Sequence, residues 1–136
     1  MEEFVTFEIA KKLKDKGFRE ECLCHYVGDD LYYNIESPIA NNQFWFSHNK
    51  YDNIWHRDNV DAPTFSQVLK WLREEKKLYV GVTYSPKIEG SQDFYYPTIQ
   101  YIGDYQKTIY VNGSDIYDSY EQATLAGIEY VLDNLI

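Results

Sequence analysis

The sequence predicts an α+β fold: one two-layer domain over residues 1–136, in which three helices pack against a mixed or antiparallel sheet. In three stretches apolar residues recur every three or four positions, which is the helical period. In several others they alternate with polar residues, which is the period of a strand. The order along the chain is helix, hairpin, irregular segment, helix, three strands, helix. This grouping of strands and helices is typical of α+β domains.

The best-specified element is a helix within residues 62–77. Thr64 precedes its apolar stripe and Gln67 follows three residues later, which is the spacing of a capping box. The stripe comprises Phe65, Val68, Leu69 and Leu72, with Trp71 on its flank. Residues 78–84 then alternate between apolar and polar positions, so we expect a strand directly after this helix.

The first and last helices are also defined by their ends. The first is predicted over residues 4–16, and Gly17 can end it in the left-handed conformation. The last begins at Ser119, with Gln122 as its capping partner. Its apolar stripe comprises Leu125, Ile128, Val131, Leu132 and Leu135. Gly127 costs a helix interior about 1 kcal/mol relative to alanine, which indicates a close contact with a neighbouring backbone.

Three further segments have strand character. Residues 22–35 predict a hairpin that turns at Gly28-Asp29-Asp30. Residues 98–102 alternate as a strand, with Pro97 at its start, where a missing amide proton does no harm. Residues 108–111 form the next strand, and the Asn-Gly pair that follows is a strong hairpin signal.

Residues 36–62 are an irregular excursion with a short strand expected at 43–47. This excursion is rich in aromatic residues: Phe44, Trp45, Phe46, Tyr51 and Trp55. So much aromatic area is not expected to lie in water. Either the rings cover an open sheet edge, or they form a surface for a partner.

Charge and hydropathy exclude several functions. The chain has 13 Lys and Arg against 22 Asp and Glu, a net charge of −9. This charge repels nucleic-acid backbones and anionic membranes, so we expect neither as a partner. The first residues show no signal-peptide pattern and no run of about 18 apolar residues occurs, so we expect a cytoplasmic protein with reduced cysteines.

The strongest chemical candidate is Cys22-Leu23-Cys24-His25. A zinc site usually has two to four residues between its first two ligands, whereas one residue separates these cysteines. His48 and His56 could complete a site only by folding back onto the hairpin. The alternative is an enzyme with a cysteine nucleophile and a histidine base. No phosphate-binding loop, nucleophile elbow or zinc-protease motif is present, so we expect no cofactor and no bound metal.

Three segments together resemble a known group of proteins. They are residues 5–14, residues 62–75 with Ala62-Pro63-Thr64 at their start, and Asp118-Ser119-Tyr120-Glu121-Gln122-Ala123. They resemble small uncharacterised proteins of phages and mobile elements of gut anaerobes. The matching residues are capping and core positions, so the resemblance implies a shared fold and transfers no catalytic residue.

The sequence therefore favours an accessory protein that binds another protein over the thiol-dependent or histidine-dependent enzyme that Cys22, Cys24 and His25 would allow. Tyr and Trp are efficient interface anchors. The predicted anchors are Phe44, Trp45, Tyr51 and Trp55.

Overall fold

The computed structural model describes residues 3–33, 59–86, 90, 92–104, 108–110 and 116–136. Its elements are α1 (Phe7–Asp15), β1 (Cys24–Val27), β2 (Asp30–Tyr33), β3 (Asn59–Ala62), α2 (Phe65–Glu75), β4 (Leu78–Ser85), β5 (Phe94–Tyr101), β6 (Thr108–Tyr110) and α3 (Tyr120–Asn134). The predicted α+β class is confirmed. The described strands form two antiparallel three-stranded sheets, and the chain divides into two compact units, Met1–Ser66 and Gln67–Ile136.

In the first unit the strand order is β2-β1-β3, and α1 lies against β3. β3 corrects one prediction, because it occupies the last four residues of the excursion expected to be irregular. Its Val60 and Ala62 are buried opposite Tyr26 and Cys24 of β1. A pattern of only two small apolar residues is too short to predict a strand. The pairing with β1 stabilises β3.

The first helix begins later than predicted, at Phe7 and not at residue 4. Thr6 is the N-cap, with an extended backbone, and its hydroxyl accepts a hydrogen bond from the Ile9 amide at 3.3 Å. The residues before it are extended as well, because the Val5 amide donates to the Pro63 carbonyl at 3.1 Å. Val5 is fully buried. Its apolar character therefore reflects core packing in an extended segment and not a helical position.

In the second unit the strand order is β4-β5-β6, and α3 lies against β4 and β5. β4 and β5 pair over their full length, from Leu78 opposite Tyr101 to Ser85 opposite Phe94. The buried apolar side chains of this unit include Leu78, Val80, Ile99, Ile128, Val131 and Leu132. Ser119 caps α3 as predicted, with its hydroxyl accepting from the Gln122 amide at 3.1 Å.

Two details of this unit differ from expectation. Pro97 lies in the middle of β5, opposite Val82, and not at the start of the strand. On the other side of β5 the described pairing involves Thr98–Gln100 and Tyr95, so no described residue pairs with Pro97 there. On α3, Leu125 is only half-buried, while the small residues Ala123 and Gly127 are buried. The helix thus presents its small residues, rather than every leucine, to the core.

Candidate binding surface

The predicted anchors Phe44, Trp45, Tyr51 and Trp55 lie outside the described residues. His48 and His56, which a metal site would need, also lie outside them. The two alternatives for this aromatic segment, that it forms a partner surface or that it covers a sheet edge, both stay predictions. The described part of the chain nevertheless contains the cysteine region and an exposed surface of its own.

The cysteine region is part of the core. Cys24 is fully buried, and Cys22 and His25 are nearly so. Burial raises the pKa of the Cys24 thiol above its ordinary value. A nucleophilic cysteine needs the opposite, an accessible thiol with a lowered pKa. The Cys22 thiol donates to the Glu20 carbonyl at 3.4 Å, as a small core residue does.

The position of His25 explains why it is buried. β1 is the central strand, so both of its faces are available for packing. The alternation of the strand places His25 on the face opposite Cys24, as predicted. There its ring stacks on the ring of Tyr32, its cross-strand partner on β2, with the ring centroids 5.9 Å apart. Among the described residues, no three His, Cys, Asp or Glu side chains form a group that could hold a metal.

The hairpin of β1 and β2 exposes large hydrophobic side chains. We call Leu23, Leu31, Tyr32 and Tyr33 the hairpin surface. Leu23 and Tyr33 are each 64% exposed, and Tyr32 is 50% exposed. Tyr33 also packs edge-on against Phe4, with the ring centroids 6.4 Å apart. One part of the Tyr33 ring therefore contacts Phe4, while the rest is exposed to solvent.

The hairpin surface has an acidic border. Glu20 and Glu21 precede β1, and Asp29 and Asp30 form the turn into β2. All four carboxylate residues are exposed. The exposed apolar side chains lie on both faces of the hairpin, because Tyr32 alternates with Leu31 and Tyr33. Exposed apolar side chains with charged groups beside them are typical of a surface that binds another protein.

Sequence reasoning missed the hairpin surface, although a signal was present. Leu31, Tyr32 and Tyr33 are consecutive and therefore break the alternation of a strand with one buried face. Successive side chains of a strand point to opposite faces, so such a run must leave apolar area exposed on at least one face unless both are covered. In the structure all four residues of β2 are exposed.

Comparisons with known proteins add no family. The chain matches no protein-family model, and searches of curated proteins and of solved structures gave no match. None of the helices in the described ranges combines the length and hydrophobicity that a membrane span requires.

Proposed function

We propose that this protein is a cytoplasmic accessory protein that acts by binding another protein through the hairpin surface. The observation that carries the proposal is the exposure of Leu23, Tyr32 and Tyr33 on one small hairpin. Tyrosine contributes a large, rigid contact area at a low cost in conformational entropy, so exposed tyrosines are efficient anchors. The resemblance to proteins of phages and mobile elements is compatible with such an accessory role.

The acidic border defines the chemistry of the partner. A matching surface has apolar side chains at its centre and Lys or Arg around them, facing Glu20, Glu21, Asp29 and Asp30. Complementary charge mainly accelerates association and excludes wrong partners, whereas the buried anchors determine most of the affinity. Binding should therefore weaken at high salt through a slower association rate.

β2 also offers main-chain contacts. In the described part of the chain it pairs only with β1, so it is an edge strand of the described sheet. An edge strand presents amide and carbonyl groups with which an extended segment of a partner can pair. Its side chains on both faces would then contact the partner's neighbouring residues.

A capture experiment tests this proposal. Wild-type protein and the double variant Tyr32→Ser/Tyr33→Ser are used to capture partners from the native host, and captured proteins are identified by mass spectrometry. We expect the variant to lose a protein that the wild type binds. Tyr84→Ser is the matched control, because Tyr84 is a similarly exposed tyrosine, at 49%, in the second unit.

The purified partner then gives a quantitative test. The affinity of the double variant should fall by at least about tenfold, which corresponds to about 1.4 kcal/mol. Its melting temperature should fall only modestly, because the two substitutions remove aromatic contacts with His25 and Phe4 that are worth about 0.5–1.5 kcal/mol each. Equal affinities for the wild type and a folded double variant would contradict the proposal.

A further inference from the structure

The sheet of the second unit has two different faces. α3 lies against one face, where Val80, Pro97 and Ile99 are buried. Alternation places the following residues of the three strands on the opposite face: Tyr79, Gly81, Thr83, Ser85, Phe94, Tyr96, Thr98, Gln100 and Thr108. The contact between the Phe94 and Tyr96 rings, 6.2 Å apart, agrees with this assignment. We call these residues the open face; Tyr79, Gln100 and Thr108 are exposed, and the other residues of the face are half-buried.

None of the residues of the open face is charged, although 26% of the residues of this chain are. Their side chains are aromatic rings, hydroxyl groups and one amide. Such a face offers stacking and neutral hydrogen bonds but no ion pair. It therefore suits a ligand that has many hydroxyl groups and no charge.

On this face the ring of Tyr79 lies beside Gly81, which has no side chain, and we call this ring the platform. A methyl group added to Gly81, two residues along the same strand, would lie 3.0 Å from Cε1 of the Tyr79 ring. The ring therefore occupies the space that a side chain at position 81 would fill. Tyr79 is 48% exposed, so the rest of the ring remains accessible from solvent.

An open cavity adjoins the platform. It has a volume of about 430 Å³ and is lined by Tyr79, Gln100, Tyr101, Ile102 and Gly103. Gln100 is the direct cross-strand partner of Tyr79. Its amide can both donate and accept hydrogen bonds, so the cavity combines two tyrosine side chains with one neutral amide.

We propose that the open face binds a neutral oligosaccharide, with one sugar ring stacked on Tyr79 and its hydroxyl groups bonded to Gln100. The π face of an aromatic ring is negative and attracts the partly positive C–H groups of a sugar. Thr98 is the cross-strand partner of Gly81 on the same face, so its hydroxyl can bond to a second sugar unit. This site is independent of the protein-binding proposal, because the hairpin surface belongs to the other unit.

Titrations monitored by NMR test this proposal on the full chain. The probes are the hexasaccharides of cellulose, of amylose and of chitin, each added up to about 10 mM, which detects even weak affinities. We expect at least one of them to shift the amide signals of residues on β4 and β5. Because the residues of the open face include no cation, a heparin hexasaccharide should bind there no better than the neutral hexasaccharides.

Variants at Tyr79 identify the platform. Tyr79→Ala should reduce the affinity by about tenfold through loss of stacking, whereas Tyr79→Phe should retain most of it. Tyr84→Ala is the control, because Tyr84 packs on Tyr95 at the opposite face of the same strand. Circular dichroism verifies that each variant is folded.

Three results would overturn the proposal. One is the absence of any shift with all three neutral hexasaccharides. Another is an unchanged affinity in folded Tyr79→Ala. The third is saturable binding of a proline-rich decapeptide at the open face without binding of any sugar, since aromatic grooves also accept polyproline helices.

Discussion

Gly127 in α3 approaches Val80 in β4 so closely that a methyl group added to Gly127 would lie 2.8 Å from Cγ1 of Val80. The same methyl group would lie 3.0 Å from Cβ of Pro97 in β5. Both neighbours are stiff, because valine is restricted at χ1 and proline is a ring. The glycine therefore determines how closely α3 packs on its sheet, but the close contacts are with side-chain atoms of Val80 and Pro97 and not with the neighbouring backbone that the sequence predicted.

Replacing Gly127 with alanine should destabilise the protein. Alanine favours the helix by about 1 kcal/mol, but overpacking a core costs about 1–3 kcal/mol. We expect the free energy of unfolding in urea to fall by about 1 kcal/mol. In a Val80→Ala background only the 3.0 Å approach to Pro97 remains, so Gly127→Ala should cost less stability there than in the wild-type protein. If Gly127→Ala raised the stability of the wild-type protein, the close contact would be refuted.

The buried thiols should react slowly. Cys22 and Cys24 are both buried, and burial raises the pKa of Cys24. Iodoacetamide attacks the thiolate, so at pH 7 the native protein should be modified far more slowly than the protein in denaturant. Mass spectrometry after timed quenching measures both rates. Rapid modification of Cys24 in the native state would favour the thiol-dependent enzyme instead.

Stability should fall at alkaline pH. Burial raises the pKa of Cys24 above its ordinary 9.0, and burial, with a contribution from Cys24, raises the pKa of Tyr26 above its ordinary 10.0. Between the ordinary and the raised value the folded state holds more protons than the unfolded state. The contribution of Cys24 is therefore complete below about pH 9 and is lost as the pH rises through its raised pKa.

Urea unfolding at several pH values measures this effect. Cys24→Ala should reduce the decline in stability above pH 9, because it removes one titrating group and the influence of Cys24 on Tyr26. The decline should not vanish, since Tyr26 remains. An identical alkaline slope in the wild type and Cys24→Ala would show that Cys24 does not titrate differently in the folded state.

Local signals in this sequence predicted local structure well. Gly17 ends α1 with a positive φ of 95°, and the Phe18 amide donates to the Leu13 carbonyl at 3.0 Å. The cap of α3 at Ser119 is confirmed as well. These features depend on residues three to five positions apart, so the pattern of residue types contains the necessary information.

Features that depend on distant pairing were not predictable in the same way. Val5 is extended because its amide bonds to Pro63, and β3 exists because it pairs with β1. Pro97 is tolerated within β5 at a position where no described residue pairs on its second side. The open face could have been suspected from Tyr79 and Gly81, but only the register places Gln100 beside them.

The role of Trp45 and Trp55 separates the two hypotheses for the aromatic excursion. Tyr33 of the hairpin surface lies three residues before this segment in the sequence, so we expect both tryptophans to extend the proposed binding surface. The double variant Trp45→Ala/Trp55→Ala should then lose partner capture while its melting temperature stays nearly unchanged. Capture followed by mass spectrometry and thermal unfolding by circular dichroism measure the two effects.

The single variants Trp45→Ala and Trp55→Ala give the decisive control, in which the free energy of unfolding is measured without a partner. If the rings instead cover a sheet edge as core residues, each change to alanine should cost about 3–5 kcal/mol, a large part of the stability of a small domain. Trp71→Ala is the reference for such a loss, because Trp71 is buried in α2. A loss of stability at Trp45 or Trp55 as large as that at Trp71 would exclude that residue as an anchor, since a side chain required for folding is not free to bind a partner.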